Sequence, residues 1–334
     1  MSDVAAAERW FVDHGLPYFV DGYREAVARG LRRGRIAAVV AVAVLLGTVS
    51  GVLAGMSLGP SAGLGSGLTV AVAVLAVYAV ATLRAWLIVT WAVGRTFRSL
   101  GLMFPLVTRA LPLLLLFITF LFINAEVWQV AASLDGGVLW VTVLLFAAVA
   151  VGFLLARLPE ELDSVDDEVE AAQLIEACAG TPLESAARGL AERVDRVGAV
   201  DAEVSGLQKA NLVLVLLVAQ SVQVLLLALA VFAFFIVFGV VVMEPEVVGS
   251  WTSEGTVHAI AGPVGEWTGE RLSQELVRVS TFLAAFSGLY FTVYAVTDEL
   301  YRRQFFSVVT RELERAVSAR VAYRSLRDPA AWHE

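Results

Sequence analysis

The chain has few of the side chains that enzymes and metal sites depend on. It contains one cysteine, Cys178, so no disulfide can form within the chain, and only three histidines. It has no HExxH zinc motif and no phosphate-binding loop of the Walker type. We therefore expect no catalytic residue, no metal and no cofactor, and we predict that the chain is not an enzyme.

Charged residues are also scarce, at 17% of the 334 residues, and they are missing from long stretches. Hydrophobic residues make up 58% of the chain and the mean hydropathy is +0.76, whereas soluble domains are about 45–50% apolar. A helix needs about 20 mainly apolar residues to cross a bilayer. Six runs approach or exceed that length: 36–58, 68–93, 110–125, 138–156, 211–243 and 276–297. They predict an all-α polytopic membrane protein with six transmembrane helices, four within 36–158 and two within 211–297.

Positive charge is distributed unevenly among the segments that join these runs. Arginine is concentrated in 1–35, in the loop after the second run, in 159–210 and after residue 300, whereas the remaining loops hold only Arg271 and Arg278. Because Lys and Arg accumulate on the cytoplasmic side of short loops, this pattern predicts that both termini are cytoplasmic. The chain has a single lysine, and this preference for arginine indicates a GC-rich bacterial genome. We therefore expect the protein in a bacterial plasma membrane.

The segments outside the spans differ in composition. Residues 1–35 mix aromatic residues with a basic tail, which is typical of a segment at the lipid interface. Residues 159–210 predict an acidic helical hairpin, whose second helix is expected to start at the sequence TPLE, residues 181–184, because it resembles a capping box. Residues 244–275 form an acidic outer loop, and residues 298–334 keep the apolar spacing of a long arginine-rich helix.

The predicted hairpin and the C-terminal helix carry opposite charges. Eight acidic and no basic residues lie between 160 and 176, and seven arginines follow residue 300. One interpretation is that the hairpin docks on the helix. The other is that the two surfaces are solvated independently, because an exposed ion pair contributes only about 0–1 kcal/mol.

Polar residues inside the spans are costly in lipid and are therefore candidates for function. Arg84 lies in the second run, about 14 Å from its inner boundary at 1.5 Å per residue, and Gln220 in the fifth run is predicted at a similar depth. The other candidates for a pore or ion site recur at helical spacing in the fifth and sixth runs: Gln223, Ser287, Tyr290, Tyr294 and Thr297. Glu126 is the candidate for an acidic outer mouth.

Two interpretations of Arg84 stay open. An arginine without a carboxylate at matching depth, surrounded by amides and hydroxyls, favours an anion site. Alternatively, its long side chain reaches the headgroups while the glutamines and tyrosines hold helices together by hydrogen bonds.

Two segments resemble a known family. RALPLLLLFITFLFINAEVWQVA, residues 109–131, and ERWFVDHGLPYFV near the start are similar to segments of an uncharacterised family of actinobacterial integral membrane proteins. The resemblance implies membrane class and bacterial origin, and because that family has no established activity it transfers no site.

Two classes of function follow from these patterns. The first is a channel or transporter for small ions, with anions favoured by Arg84, which we expect to form a homo-oligomer. The second is a non-transporting membrane scaffold or signalling protein that binds a cytoplasmic protein through the hairpin and tail. In both cases we expect contact with membrane lipids and no nucleic acid partner.

Overall fold

The computed structural model describes residues 3–134, 136–163, 168–197, 200–252, 257–269, 271–297 and 299–328. Within these ranges the fold is all-α, as predicted, apart from two antiparallel strands of two residues each, β1 (Glu168–Val169) and β2 (Val200–Asp201). The first half of the chain contains α1 (Asp3–Asp13), a 3-10 turn (Pro17–Phe19), α2 (Asp21–Gly30), α3 (Arg33–Leu58), α4 (Pro60–Thr82), α5 (Ala85–Phe122) and α6 (Ala125–Ala132). The second half contains α7 (Gly136–Asp163), α8 (Ala171–Cys178), α9 (Glu184–Val197), α10 (Gly206–Val242), α11 (Pro245–Trp251), α12 (Pro263–Trp267), α13 (Gln274–Thr297) and α14 (Glu299–Arg327).

The helices that are long and apolar enough to cross a membrane number five among the described residues. They lie in α3, α4, α7, α10 and α13. A sixth span is formed if Leu114–Phe122 and Ala125–Ala132 act together, although these two pieces are bent by 76° at the break between them. Asn124 caps the second piece, because its side chain accepts the backbone N–H groups of Glu126 and Val127. The third predicted span is therefore interrupted near its outer end.

The second predicted span, 68–93, is wrong in its extent. α4 ends at Thr82 and α5 begins at Ala85, because Arg84 adopts a left-handed backbone conformation with φ of 50°. Outside glycine this conformation costs roughly 1–2 kcal/mol. A distant contact stabilises the break, since the Tyr18 hydroxyl donates to the Leu83 carbonyl at 2.5 Å.

The two ends of the helix bundle are built differently. At one end α1, α2, α8, α9 and residues 313–327 of α14 pack on one another, and we call this assembly the terminal body. The other end carries α6, α11 and α12, and we call it the loop end. The helices α5 and α10 contain 38 and 37 residues, which at 1.5 Å per residue is about 55 Å, against a hydrocarbon thickness of about 30 Å. Both helices therefore extend well beyond lipid.

The α3 and α4 helices pair through glycine. Gly47, Gly51 and Gly55 on α3 face Gly63 and Gly67 on α4, and a Cβ at position 63 would lie 2.7 Å from the Gly51 carbonyl oxygen. Such close backbone approach is the GxxxG type of membrane helix packing. The Ser50 and Ser66 hydroxyls are hydrogen-bonded across the same seam at 2.6 Å.

The predicted acidic hairpin has two helices, α8 and α9, and the first begins at Ala171, well inside the predicted range of 159–210. The end of α7 at Asp163 and the strand β1 occupy part of 159–170, and residues 164–167 lie outside the described residues. The second helix begins at Glu184, two residues after Pro182, which the capping-box pattern predicted as its first residue. The Thr181 hydroxyl accepts the Leu183 N–H at 3.1 Å, whereas the Glu184 carboxylate accepts the N–H of Gly180 rather than that of Thr181.

Candidate functional site

Arg84 lies at a helix junction near the terminal body. Its guanidinium carbon is 5.9 Å from the centre of the Tyr23 ring in α2, within the range of a cation–π interaction. Tyr18 connects this junction to the first turns of α10, since its hydroxyl binds Leu83 and its backbone N–H donates to the Asn211 side chain at 2.9 Å. Arg84 is therefore near the level of Asn211, and Gln220 lies nine residues, about 14 Å, farther along α10.

Gln220 and Gln223 are buried between helices. Their exposed fractions are 0% and 7%. α10 and α13 run antiparallel, and a Cβ at Gly288 would lie 3.3 Å from Val224 Cγ1, so Gln223 and Ser287 lie at the same level of the bundle. The structure thus brings the glutamines near the sixth-span residues but not near Arg84.

The polar stripe of the sixth predicted span is divided between buried and exposed positions. Ser287 is fully buried, and its hydroxyl donates to the Leu283 carbonyl at 2.6 Å. Tyr290 is 41% exposed and stacks on Phe117 of α5, and Tyr294 stacks on Tyr290 with 6.4 Å between ring centres. Thr297 is exposed at the end of α13 and donates to the Val293 carbonyl at 2.8 Å.

Glu126 lies at the loop end, in the first turn of α6. Its side chain is exposed. It is thus at the opposite end of the bundle from Arg84, as the sequence suggested for an outer acidic position.

The Gln223 carbonyl oxygen Oε1 and the Ser280 hydroxyl Oγ are buried and have no hydrogen-bond partner among the described residues. A buried polar group without a partner costs about 1–3 kcal/mol. Ser280 was not among the predicted site residues, although its spacing of seven from Ser287 places it on the same helix face, which is a signal the sequence contains.

Asn211 organises the contact between α10 and the terminal body. Its side-chain amide donates to the Gly15 carbonyl at 2.9 Å while its carbonyl oxygen accepts from Tyr18. Burial raises the pKa of the Tyr18 hydroxyl to about 12. Because Tyr18 stays protonated at neutral pH, it remains a donor to Leu83.

The terminal body joins both ends of the chain. The Tyr323 hydroxyl of α14 donates to the Glu8 carboxylate of α1 at 2.8 Å, and Phe11 packs edge-on against the Tyr323 ring. Burial, and then the hydrogen bond to Glu8, raises the pKa of Tyr323 above its ordinary value. Arg327 pairs with Asp21 of α2. The N-terminal segment is therefore held by the C-terminal helix.

The hairpin docks on the C-terminal helix, which was one of the two interpretations of their opposite charges. Two arginines of α14 donate hydrogen bonds to backbone carbonyls in this contact. Arg315 Nε donates to the Ala177 carbonyl at 3.1 Å, and Arg320 Nη1 donates to the carbonyls of Ala202 at 3.2 Å and Glu203 at 2.9 Å. Apolar side chains fill the contact, and Cys178 is fully buried in it. Burial raises the pKa of the Cys178 thiol to about 11, although the Arg315 charge lowers it in part. Cys178 is therefore a neutral thiol at physiological pH.

The part of the chain that the structure describes contains no group of three His, Cys, Asp or Glu side chains arranged to hold a metal ion. Comparison of the chain with family models, with curated proteins and with solved structures found no match.

Proposed function

We propose that the protein is a non-transporting membrane scaffold or signalling protein that binds a protein partner through its terminal body. The observation that carries this proposal is the assembly of three distant parts of the chain, 3–30, 168–203 and 313–327, into one packed unit outside the candidate spans. A minimal pore does not need such a unit. In addition, Arg84 contacts the Tyr23 ring rather than the buried glutamines. This contact does not favour the anion site that was predicted from Arg84 and the glutamines together.

The exposed side of the hairpin is a suitable surface for this partner. Ile175 is 42% exposed there, beside the exposed Glu176. On α9 the exposed residues carry both signs of charge, with Glu192 and Asp195 beside Arg188 and Arg196. The apolar Ile175 and the carboxylates of Glu176 and Glu192 favour a partner with a small apolar pocket and cations around it.

Site-specific photocrosslinking in native membranes tests this surface. A photoreactive residue at position 175 should give a discrete protein adduct, and Glu192→Arg should reduce its yield by reversing the local charge. The control is the same photoreactive residue at Leu53 of α3, which is 64% exposed in a candidate span and should give lipid adducts only. Equal adducts from both positions would refute the proposal.

The terminal body is placed in the cytoplasm of an actinobacterial cell in this proposal, with the loop end outside the plasma membrane. The arginine distribution and the resemblance of the leader and third run support this placement. Single cysteines at Ser250 and Ser205 provide the test, because both side chains are exposed at opposite ends of the bundle. In intact cells an impermeant maleimide should label position 250 and spare position 205, and the reverse pattern would overturn the orientation.

An ion path is the second candidate, and the buried Gln223 favours it. Its Oε1 atom is an acceptor without a partner among the described residues. Such an atom suits water or a cation better than the anion predicted from Arg84.

Ion flux in proteoliposomes separates the two candidates. For a scaffold we expect no flux of sodium, potassium or chloride above that of empty vesicles. Flux that Gln223→Leu abolishes and Arg84→Gln leaves unchanged would establish the ion path instead. Loss of chloride flux on Arg84→Gln would restore the anion site.

A further inference from the structure

A groove runs along the side of the bundle between α7, α10 and α13. Its volume is about 450 Å³, within the range of about 300–1,000 Å³ that is common for ligand sites. Small residues form much of its wall, including Ala147 on α7, Ala228 on α10 and Gly288 on α13. Ala147 is exposed and Leu225 is 57% exposed, so the groove opens sideways, towards the surroundings of the candidate spans.

The groove wall has few hydrogen-bonding groups for a polar ligand. Its wall is apolar except for three hydroxyl-bearing residues. Two of these are occupied by their own helix, because Thr281 donates to the Val277 carbonyl and Thr292 to the Gly288 carbonyl, both at 2.8 Å. The buried glutamines Gln220 and Gln223 are not in its wall. The ligand that fits is therefore a hydrocarbon.

The length of the groove matches a lipid tail. On α7 its wall extends from Trp140 to Leu154, which at 1.5 Å per residue is about 21 Å. One leaflet of a bilayer has about 15 Å of hydrocarbon, half of the core thickness of about 30 Å. A whole acyl chain, lying along the helices, can thus be accommodated.

A positive charge lies near the loop end of the groove, on a residue outside its wall. Arg278 lies one turn before Thr281 on the same face of α13, and its Nη1 atom donates to the Ala132 carbonyl at 2.7 Å, which fixes its position. Trp140, at the same end, is 60% exposed, as is usual for tryptophan at the lipid interface. A guanidinium above an apolar groove complements the phosphate and the tail of one phospholipid.

We propose that this groove binds one phospholipid, with an acyl chain between α7, α10 and α13 and its phosphate beside Arg278. This site is independent of the function proposed for the terminal body. It differs from the general lipid contact of the bundle, because the acyl chain lies in a groove between three helices, whereas α3 and α4 present exposed apolar side chains such as Leu53 and Val72.

Photoreactive lipids test the tail site in the full-length protein. Vesicles of phosphatidylcholine containing a trace of phosphatidylglycerol with a diazirine in its acyl chain should label peptides of the groove wall several times more than those of α3. Ala147→Trp should reduce this labelling several-fold by filling the groove. Ala148→Trp is the matched control, because Ala148 is the exposed neighbour on α7 that does not line the groove, and it should leave labelling unchanged.

Two results would overturn the tail site. The first is labelling of the groove no stronger than labelling of α3, which would indicate bulk lipid only. The second is crosslinking between two copies of the chain at the groove, with lipid excluded, which would assign it to a protein interface. Unchanged thermal unfolding of both tryptophan variants shows that a lost label reflects a filled groove.

The phosphate position has its own test. Arg278→Gln should lower labelling by the phospholipid several-fold, Arg278→Lys should retain most of it, and neither should change labelling by an uncharged fatty alcohol with the same photoreactive tail. Equal phospholipid labelling of Arg278→Gln and the unmodified protein would overturn the assignment of the phosphate to Arg278.

Discussion

Two antiparallel helix pairs in this bundle are held together in different ways. In α3 and α4, glycine backbones touch and almost all side chains face outward: no residue is buried in the most apolar window of α4. In α10 and α13, 56% of the corresponding window of α13 is buried, and side chains fill the space between the helices. Both pairs consist of helices apolar enough to cross a membrane, so hydropathy alone does not distinguish them.

The difference follows from where the small residues lie. In α3 and α4 glycines recur every four residues and lie opposite one another, so the helices approach until backbone meets backbone. In α10 and α13 the glycines are isolated, and Gly239 faces the Leu276 side chain rather than a helix backbone. A helix backbone cannot move aside to make room for an added methyl group, whereas a side chain can change its rotamer. We therefore expect the α3–α4 pair to be the less tolerant of added volume.

Gly63→Leu should have the largest effect. A side chain there meets the Gly51 carbonyl oxygen and, at 2.9 Å, the Gly55 Cα atom, so the helices must separate. We expect a loss of roughly 1–3 kcal/mol, typical of overpacking, in unfolding of the micelle-bound protein. A disulfide between cysteines at Ser50 and Ser66, formed in a Cys178→Ala background, should then form slowly, because these hydroxyls are 2.6 Å apart in the native pair.

Gly152→Leu is the control for this change. Gly152 is in α7, and a Cβ there would have no heavy atom within 4 Å. The control should leave both stability and the Ser50–Ser66 disulfide rate close to those of the parent. Similar losses for the two leucine variants would show that the glycine seam has no special role.

Gln223→Leu should have the next largest effect, in the opposite direction. The change removes a buried acceptor that has no partner among the described residues, and leaving such a group buried costs about 1–3 kcal/mol. Unfolding of the variant should require correspondingly more denaturant. Destabilisation would mean that Oε1 is satisfied in the membrane, by water or an ion, and would strengthen the ion-path candidate.

Much of the fold could be predicted from hydropathy, because four of the apolar runs correspond closely to α3, α7, α10 and α13. The break at Arg84 could not, since residues 80–89 contain no glycine or proline, and the contact that stabilises it comes from Tyr18, 65 residues earlier. The predicted depth of Arg84 assumed a helix that is continuous over 68–93, whereas α4 ends at Thr82.

Other features were visible in the sequence. Glycines at 47, 51, 55, 63 and 67 have the four-residue spacing that predicts close helix contact. Asn124, two residues before Glu126, has the position of a helix cap and marks the bend in the third span. Of the candidate site residues, Gln220 was predicted from its depth, and Gln223 and Ser287 were predicted from their helical spacing. The groove could not be found, because it depends on the packing of three helices that are distant in sequence.

Gly239→Ala tests the α10–α13 pair with a smaller added side chain. The new methyl group meets the end of the Leu276 side chain, which can move to another rotamer at a cost of about 0.5–1.5 kcal/mol. The helix-forming advantage of alanine offsets part of this, by roughly 0.5–1 kcal/mol. We expect a net loss below that of Gly63→Ala, measured under identical conditions. A larger loss at position 239 would reverse the proposed order of tolerance.

Arg84 lies between α4, which ends at Thr82, and α5, which begins at Ala85. We expect its variants to have the smallest effects on stability. Arg84→Gly relieves a left-handed conformation worth roughly 1–2 kcal/mol. It also loses the Tyr23 contact, worth about 0.5–1 kcal/mol, and adds about 0.5–1 kcal/mol of unfolded-state entropy. These contributions nearly cancel.

Arg84→Gln keeps the strained backbone and loses the Tyr23 contact, so it should be the less stable variant of the two. If glutamine proves the more stable replacement, the backbone conformation is not what the junction requires. Because glycine has no side chain, near-parental stability of Arg84→Gly would show that the role of residue 84 is its backbone conformation, which connects α4 to α5.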